Sequence, residues 1–174
     1  NGIAAFVRKL KGKEIWLIPI LMFIFSIGGT TYGMWEETVP FCLLVAAAMV
    51  AAGYDSLTGV AIVLVGAGCG VIGSTVNPFA VGTAIDAISG SGIEVNQGIV
   101  IGLGAALWIL ALIIGIIYVM RYAKSVHKTP ESSYMSAEEW SLMESDFGAH
   151  PRKGVKANGT VDLEQLNEDG TLVG

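Results

Sequence analysis

The sequence predicts an all-α polytopic membrane protein, and three observations predict it. Every Lys and Arg lies towards one end or the other (Arg8, Lys9, Lys11 and Lys13, then Arg121, Lys124, Lys128, Arg152, Lys153 and Lys156), and residues 15–120 contain no Lys, Arg or His. Only 14% of the residues are charged and 53% are hydrophobic, too apolar for an ordinary soluble domain. Two short polar interruptions, Gly28-Gly29-Thr30-Thr31 and Gly73-Ser74-Thr75-Val76-Asn77-Pro78, break the apolar field where a membrane helix would run on. Basic residues near span ends stay inside, so two basic flanks imply an even number of crossings with both ends cytoplasmic.

Residues 1–14 place Ile3, Phe6, Val7 and Leu10 at helical spacing against Arg8, Lys9, Lys11 and Lys13. That pattern suits an amphipathic helix on the cytoplasmic surface, or the end of a preceding span. Residues 15–54 hold two apolar runs around a Gly-rich, acidic middle. Each run falls short of the ~20 residues of a perpendicular span, so the segment is a re-entrant helical hairpin or two short spans. Residues 57–95 form a broken transmembrane helix and an outer loop. Pro78 removes a backbone donor, and the glycines around it relax the chain. The glycines at 59, 66, 68, 70 and 73 give this helix a small-residue surface for close packing in lipid. Gly68-Cys69-Gly70-Val71-Ile72-Gly73 matches a dinucleotide-binding spacing, but no strand precedes it and its surroundings are transmembrane. Residues 96–122 are the clearest full span. Residues 123–174 form an acidic cytoplasmic linker, largely irregular, with a capping box at Ser136–Glu139 that starts a short helix.

Unpaired backbone at membrane depth is tolerated only where protein covers it or it lines a cavity. The two interruptions therefore form a candidate site for a substrate or ion, with Gly29, Thr30, Thr31, Ser74, Thr75, Asn77, Pro78 and Thr83 as its contacts. Carbonyls and hydroxyls at Thr30, Thr31, Ser74 and Asn77 suit Na⁺, and the start of a half-helix suits a carboxylate. A proline kink with hydroxyls bonded back to their own helices is the plain alternative. Glu36 and Glu37 are costly if they sit at membrane depth, where they would meet a cationic group or a proton, and unremarkable in an outer loop. Asp55 and Asp86 are expected at membrane boundaries. Cys42 and Cys69 read as buried, reduced thiols. The block offers no base for hydrolytic chemistry, so no enzyme and no cofactor are expected beyond a coupling ion, Na⁺ or H⁺. No separate basic face exists for nucleic acid.

The blocks Gly28-Gly29-Thr30-Thr31-Tyr32-Gly33-Met34-Trp35-Glu36-Glu37, Gly53-Tyr54-Asp55-Ser56-Leu57-Thr58-Gly59 and Gly73-Ser74-Thr75-Val76-Asn77-Pro78-Phe79 resemble the YfcC-type family of basic amino-acid antiporters. That family is grouped with the C4-dicarboxylate anaerobic carriers in the ion transporter superfamily, and the resemblance covers roughly residues 1–130. It implies a bacterial cytoplasmic-membrane secondary transporter built from two inverted repeats. One repeat is present here, and the missing second half would complete the site. Thr30 and Thr31 would lie at the hairpin tip, with Ser74, Thr75, Asn77 and Pro78 in the unwound loop. Dicarboxylate members have Ser-Asn-Thr at such tips. Gly-Gly-Thr-Thr with Glu36 and Glu37 nearby points instead to a basic amino acid moved by exchange. A C4-dicarboxylate carrier and a non-transporting membrane assembly subunit are the alternatives. The expected partners are the substrate, the bilayer, the second half and a second copy in a homodimer.

Overall fold

The computed structural model describes residues 14–147, and every regular element among them is helical. The surface helix expected at residues 1–14, and the linker beyond residue 147, lie outside the described residues. The helices are α1 (Leu17–Tyr32), α2 (Val39–Ala51), α3 (Ser56–Ile72), α4 (Thr83–Ser89), α5 (Gln97–Lys128) and α6 (Ala137–Phe147). Among the described residues two stretches are long and apolar enough to cross a membrane, Glu14–Tyr32 and Gln97–Lys128. A π-helical turn, Pro78–Gly82, leads into α4, so Pro78–Ser89 forms one apolar arm.

Local chemistry sets each boundary. Pro19 falls in the first turn of α1, where a missing donor costs little. The helix runs through Gly28-Gly29-Thr30-Thr31 rather than breaking there. It stops at Gly33, whose φ of 83° lets its N–H reach the Gly28 and Gly29 carbonyls. A 3₁₀ turn, Glu36–Thr38, then starts α2, which carries Pro40 in its first turn. Asp55 caps α3, its Oδ1 accepting the Thr58 N–H at 2.9 Å. Asn96 caps α5 in the same way through Ile99 N–H at 3.2 Å.

α3 is the central element, packed on α1, α2 and α5. Its glycines explain how four helices fit round one axis. A Cβ on Gly59 would fall 2.3 Å from Ala46 Cα of α2, and one on Gly66 3.0 Å from Met22 Cα of α1. On Gly70 it would lie 2.1 Å from the Ser26 carbonyl, and on Gly73 2.2 Å from the Trp108 backbone of α5. Mid-helix glycine costs roughly 0.5–1 kcal/mol against alanine, and the contact of backbone with backbone offsets that cost. Ile18, Met22, Met49, Ile62, Val63, Leu112 and Val119 fill the core beside these contacts.

The span expected to end near Tyr122 continues to Lys128. Beyond it residues 129–147 hold a 3₁₀ turn and α6, the short helix expected behind the capping box, here running to Phe147. The capping box closes as the sequence suggests. Glu139 N–H donates to Ser136 Oγ, while the Glu139 carboxylate accepts from Ser136 N–H at 2.8 Å and from its hydroxyl at 2.9 Å. Trp140 and Met143 then bury their side chains against Val50 and Val126. Hydrophobic anchors three residues apart, not the acidic composition, decide the structure here.

Candidate site at the paired helix ends

α1 and α3 run parallel, so the end of α1 and the break after α3 arrive together. Gly29 and Gly70 make this possible: a Cβ on Gly29 would fall 2.3 Å from the Ala67 carbonyl. Thr30, 1% exposed, is thereby pressed against the break. Its hydroxyl donates to the Gly73 carbonyl at 2.7 Å and lies 3.3 Å from Thr75 Oγ1. In return the Thr30 carbonyl, left over at the helix end, accepts from Thr75 N–H at 3.0 Å and from the Thr75 hydroxyl at 3.2 Å. The two interruptions satisfy each other's stranded backbone groups.

Asn77 organises the next residues. It is 2% exposed, and its Oδ1 accepts from Phe79 N–H at 2.9 Å and Ala80 N–H at 3.3 Å, capping the arm. Its Nδ2 donates to Ser74 Oγ at 3.2 Å, and the Ser74 hydroxyl donates to the Val71 carbonyl at 2.7 Å. Asn77 also explains Gly33. A Cβ there would lie 2.6 Å from Asn77 Nδ2, so the turn after α1 and the break need both glycine's φ and its missing side chain.

The other sequence candidates fall outside this contact. Thr31 is exposed and donates to the Ile27 carbonyl of its own helix at 2.6 Å, the plain alternative for a helical threonine. A cation bound by Thr30, Ser74 and Asn77 would therefore not draw on the Thr31 hydroxyl as it now points. Gly29 serves helix contact. Pro78 starts the π turn, and Thr83 is exposed on α4. Glu36 and Glu37 are exposed in the turn after α1, at the same end as Thr30. Tyr32 and Phe79 meet edge to face at 5.6 Å across the site's rim.

One side of the arrangement is open. Ile72, Val76 and Phe79 are exposed, and a cleft of about 390 Å³ separates the arm from α5, with Ser74, Ile85, Val100 and Leu103 on its walls. The Ser74 carbonyl projects towards α5, where a Cβ on Gly104 would come within 2.2 Å of it. The site consists of backbone carbonyls, hydroxyls and one amide, all neutral.

A second polar cluster escaped sequence reasoning. Asp55, expected at a membrane boundary, is fully buried at the far end of α3. It accepts hydrogen bonds from Thr58, Tyr122 and Ser133. Asp followed three residues later by Thr was a legible capping signal, but the partners on α5 and beyond lie 67 and 78 residues away.

The C4-dicarboxylate anaerobic carrier pattern (DcuC) matches residues 1–156. The "Putative basic amino acid antiporter YfcC" of Escherichia coli (strain K12) is 38% identical over 135 residues, covering 75% of this chain and 25% of that protein. An uncharacterised protein of Haemophilus influenzae (strain ATCC 51907 / DSM 11121 / KW20 / Rd) is 34% identical over 133 residues, 76% of this chain and 25% of its own. The chain thus spans about a quarter of the length of these curated relatives. No solved structure matches it. The chain belongs to the C4-dicarboxylate anaerobic carrier family.

Proposed function

We propose that the chain forms part of a secondary transporter of the bacterial cytoplasmic membrane, moving a small carboxylate-bearing solute, a basic amino acid by exchange. The observation that supports this most is the reciprocal Thr30–Thr75 bonding between the end of α1 and the break after α3. It concentrates polar backbone and hydroxyls between two glycine-packed helix ends, with one side open. Such broken helices are where transporters hold substrate and coupling ion. On this reading the site's remaining wall comes from the rest of the protein, and both flanks of the block face the cytoplasm. Glu36 and Glu37 favour a cationic substrate over a dicarboxylate by charge.

Counterflow in liposomes containing the full-length protein tests the proposal. Labelled arginine or ornithine should exchange against unlabelled internal arginine, and labelled succinate should not. Exchange of succinate alone would replace the amino-acid reading by the dicarboxylate one. Exchange of none of the three would leave a membrane assembly subunit as the better account.

A further inference from the structure

At the Ser56 end of α3, about 25 Å from the break, the chain buries a carboxylate that the transport proposal does not use. Asp55 Oδ1 caps α3 through Thr58 N–H. Oδ2 faces elsewhere, accepting from the Tyr122 hydroxyl of α5 and from the Ser133 hydroxyl at 2.6 Å. Capping a helix needs no charge, since Ser, Thr or Asn does it as well. Burying an ionisable group here has to be offset by the donors it gathers. One side chain therefore joins three segments: α3, α5 and the stretch after α5.

That stretch, residues 129–147, closes over the same corner. Tyr134 stacks on Tyr122 at 5.3 Å with rings 3° from parallel. Ser56 N–H approaches Met143 Sδ at 3.2 Å, and the Ser56 hydroxyl approaches Met135 Sδ at 3.4 Å. His127, near the end of α5, stacks on Tyr54 at 4.9 Å and sets its Nδ1 3.1 Å from the Gly53 carbonyl.

We propose that residues 129–147 are a clasp and that Asp55 is the positioning residue on which it closes, tying the α2–α3 corner to α5 so that α1, α2, α3 and α5 move as one body. The clasp does not depend on the transport reading. If that reading holds, this body carries the Thr30 and Thr75 ends of the site together.

Asparagine at position 55 serves the two sides less well. With its single oxygen on the Thr58 N–H, its NH₂ meets the Tyr122 and Ser133 hydroxyls only if they turn to accept, and their own hydrogens then lose the carboxylate oxygen that both now share. With the amide turned round, the cap is lost.

The test is alkylation of Met143→Cys in the full-length protein with its other cysteines removed, in permeabilised membranes. Cys69, buried in α3 against α5 and kept as the sole cysteine in a parallel background, serves as the reference. Losing one charge-assisted hydrogen bond should let the clasp open about tenfold more often. Asp55→Asn is therefore expected to raise the Met143→Cys rate about tenfold and leave the Cys69 rate unchanged. An unchanged Met143→Cys rate overturns the proposal. So does an equal rise at both positions, which would make Asp55 a prop for the whole fold. If Asp55→Asn fails to accumulate, Tyr122→Phe and Ser133→Ala carry the test, each removing one donor. A faster Met143→Cys in each supports the clasp, and no change in either overturns it. Counterflow on the same variants separates the two ideas. Faster labelling with no exchange, even in the unsubstituted protein, removes the transport reading and leaves the clasp standing.

Discussion

At the Ile72 end of α3 the chain lays backbone on backbone and bonds neutral hydroxyls to carbonyls. At the Ser56 end it buries a carboxylate and covers it with a folded segment. The difference is one of energy scale. Neutral hydrogen bonds such as those of Thr30 and Thr75 contribute about 0.5–1.5 kcal/mol each, whereas bonds to a charged group are worth roughly 1.5–3 kcal/mol. Contacts of the first kind can be exchanged for a ligand's oxygen or ammonium at little net cost. Contacts of the second kind hold. On the transport proposal, the neutral end is where partners change and the charged end is where the body is kept intact.

Forcing the neutral end apart should cost the most. Gly70→Ala puts a methyl group 2.1 Å from the Ser26 carbonyl and 2.7 Å from the Thr30 N, backbone that cannot swing aside. The expected loss is about 3 kcal/mol, the upper end of the usual overpacking cost, read as a lower thermal midpoint of the solubilised full-length protein. Gly102→Ala, where a Cβ meets nothing within 4 Å, should be neutral. Equal midpoints for the two would remove the claim that α1 and α3 touch through their glycines.

Thr30→Val is the next largest. It keeps the shape, removes the hydroxyl and strands the Gly73 carbonyl, at a cost of about 1–3 kcal/mol together with most of the transport rate. Thr75→Val should cost less, because the Thr75 N–H still reaches the Thr30 carbonyl. Thr31→Val should cost least, its hydroxyl being exposed and bonded within its own helix. Uptake that falls as far in Thr31→Val as in Thr30→Val would rule out the reciprocal contact as the site's centre.

Asn77 sharpens the picture further. Asn77→Ala loses the cap on the arm, about 1 kcal/mol, while Asn77→Asp keeps the acceptor for Phe79 and Ala80, loses the donor to Ser74 and adds a negative charge. Transport lost in alanine and retained in aspartate would assign Asn77 to holding the arm. Loss in both would mean that the neutral amide with its N–H on Ser74 is needed as well as the cap.

Much of the neutral end was legible because its signals are local. Proline and asparagine announce a break, a run of glycines announces close helices, and a polar interruption in an apolar field announces that something must satisfy it. What the sequence could not decide was which threonine. Thr30 and Thr31 are adjacent and identical in kind, and only the rotation of α1 against α3, set by Gly29 and Gly70, buries one and exposes the other. The helical course of Gly28-Gly29-Thr30-Thr31 was equally hidden, since glycine pairs look like a break until their packing partner is known. The charged end was less legible for another reason. Asp55 reads as a boundary residue, because its partners Tyr122 and Ser133 are distant in sequence and typical of an interface. The clasp hides in a segment whose acidity suggests a linker. Trp140 and Met143 were the signal there, two large apolar residues one helical turn apart behind a capping box.

The smallest expected effect tests whether the clasp's own helix depends on that box. Ser136 N–H, and then its hydroxyl, hold the Glu139 carboxyl below its ordinary value of 4.5. A carboxyl depressed in the folded state stabilises it above the unfolded value, and that contribution is lost as the pH falls through the depressed folded value. The start of α6 should therefore loosen only in the acid range below 4.5, with no change between pH 6 and 8 from this group. Glu139 is fully exposed, so the effect belongs to the first turn and not to the fold. Amide protection at Trp140, which bonds to the Ser136 carbonyl at 3.0 Å, should fall in acid in the unsubstituted protein. In Glu139→Gln it should be lower at neutral pH and flat across the same range. A Trp140 amide that keeps its protection in acid, or a Glu139→Gln variant that still responds, would mean the burial of Trp140 and Met143 holds the helix start without the box. The clasp would then rest on its apolar anchors and Asp55 alone.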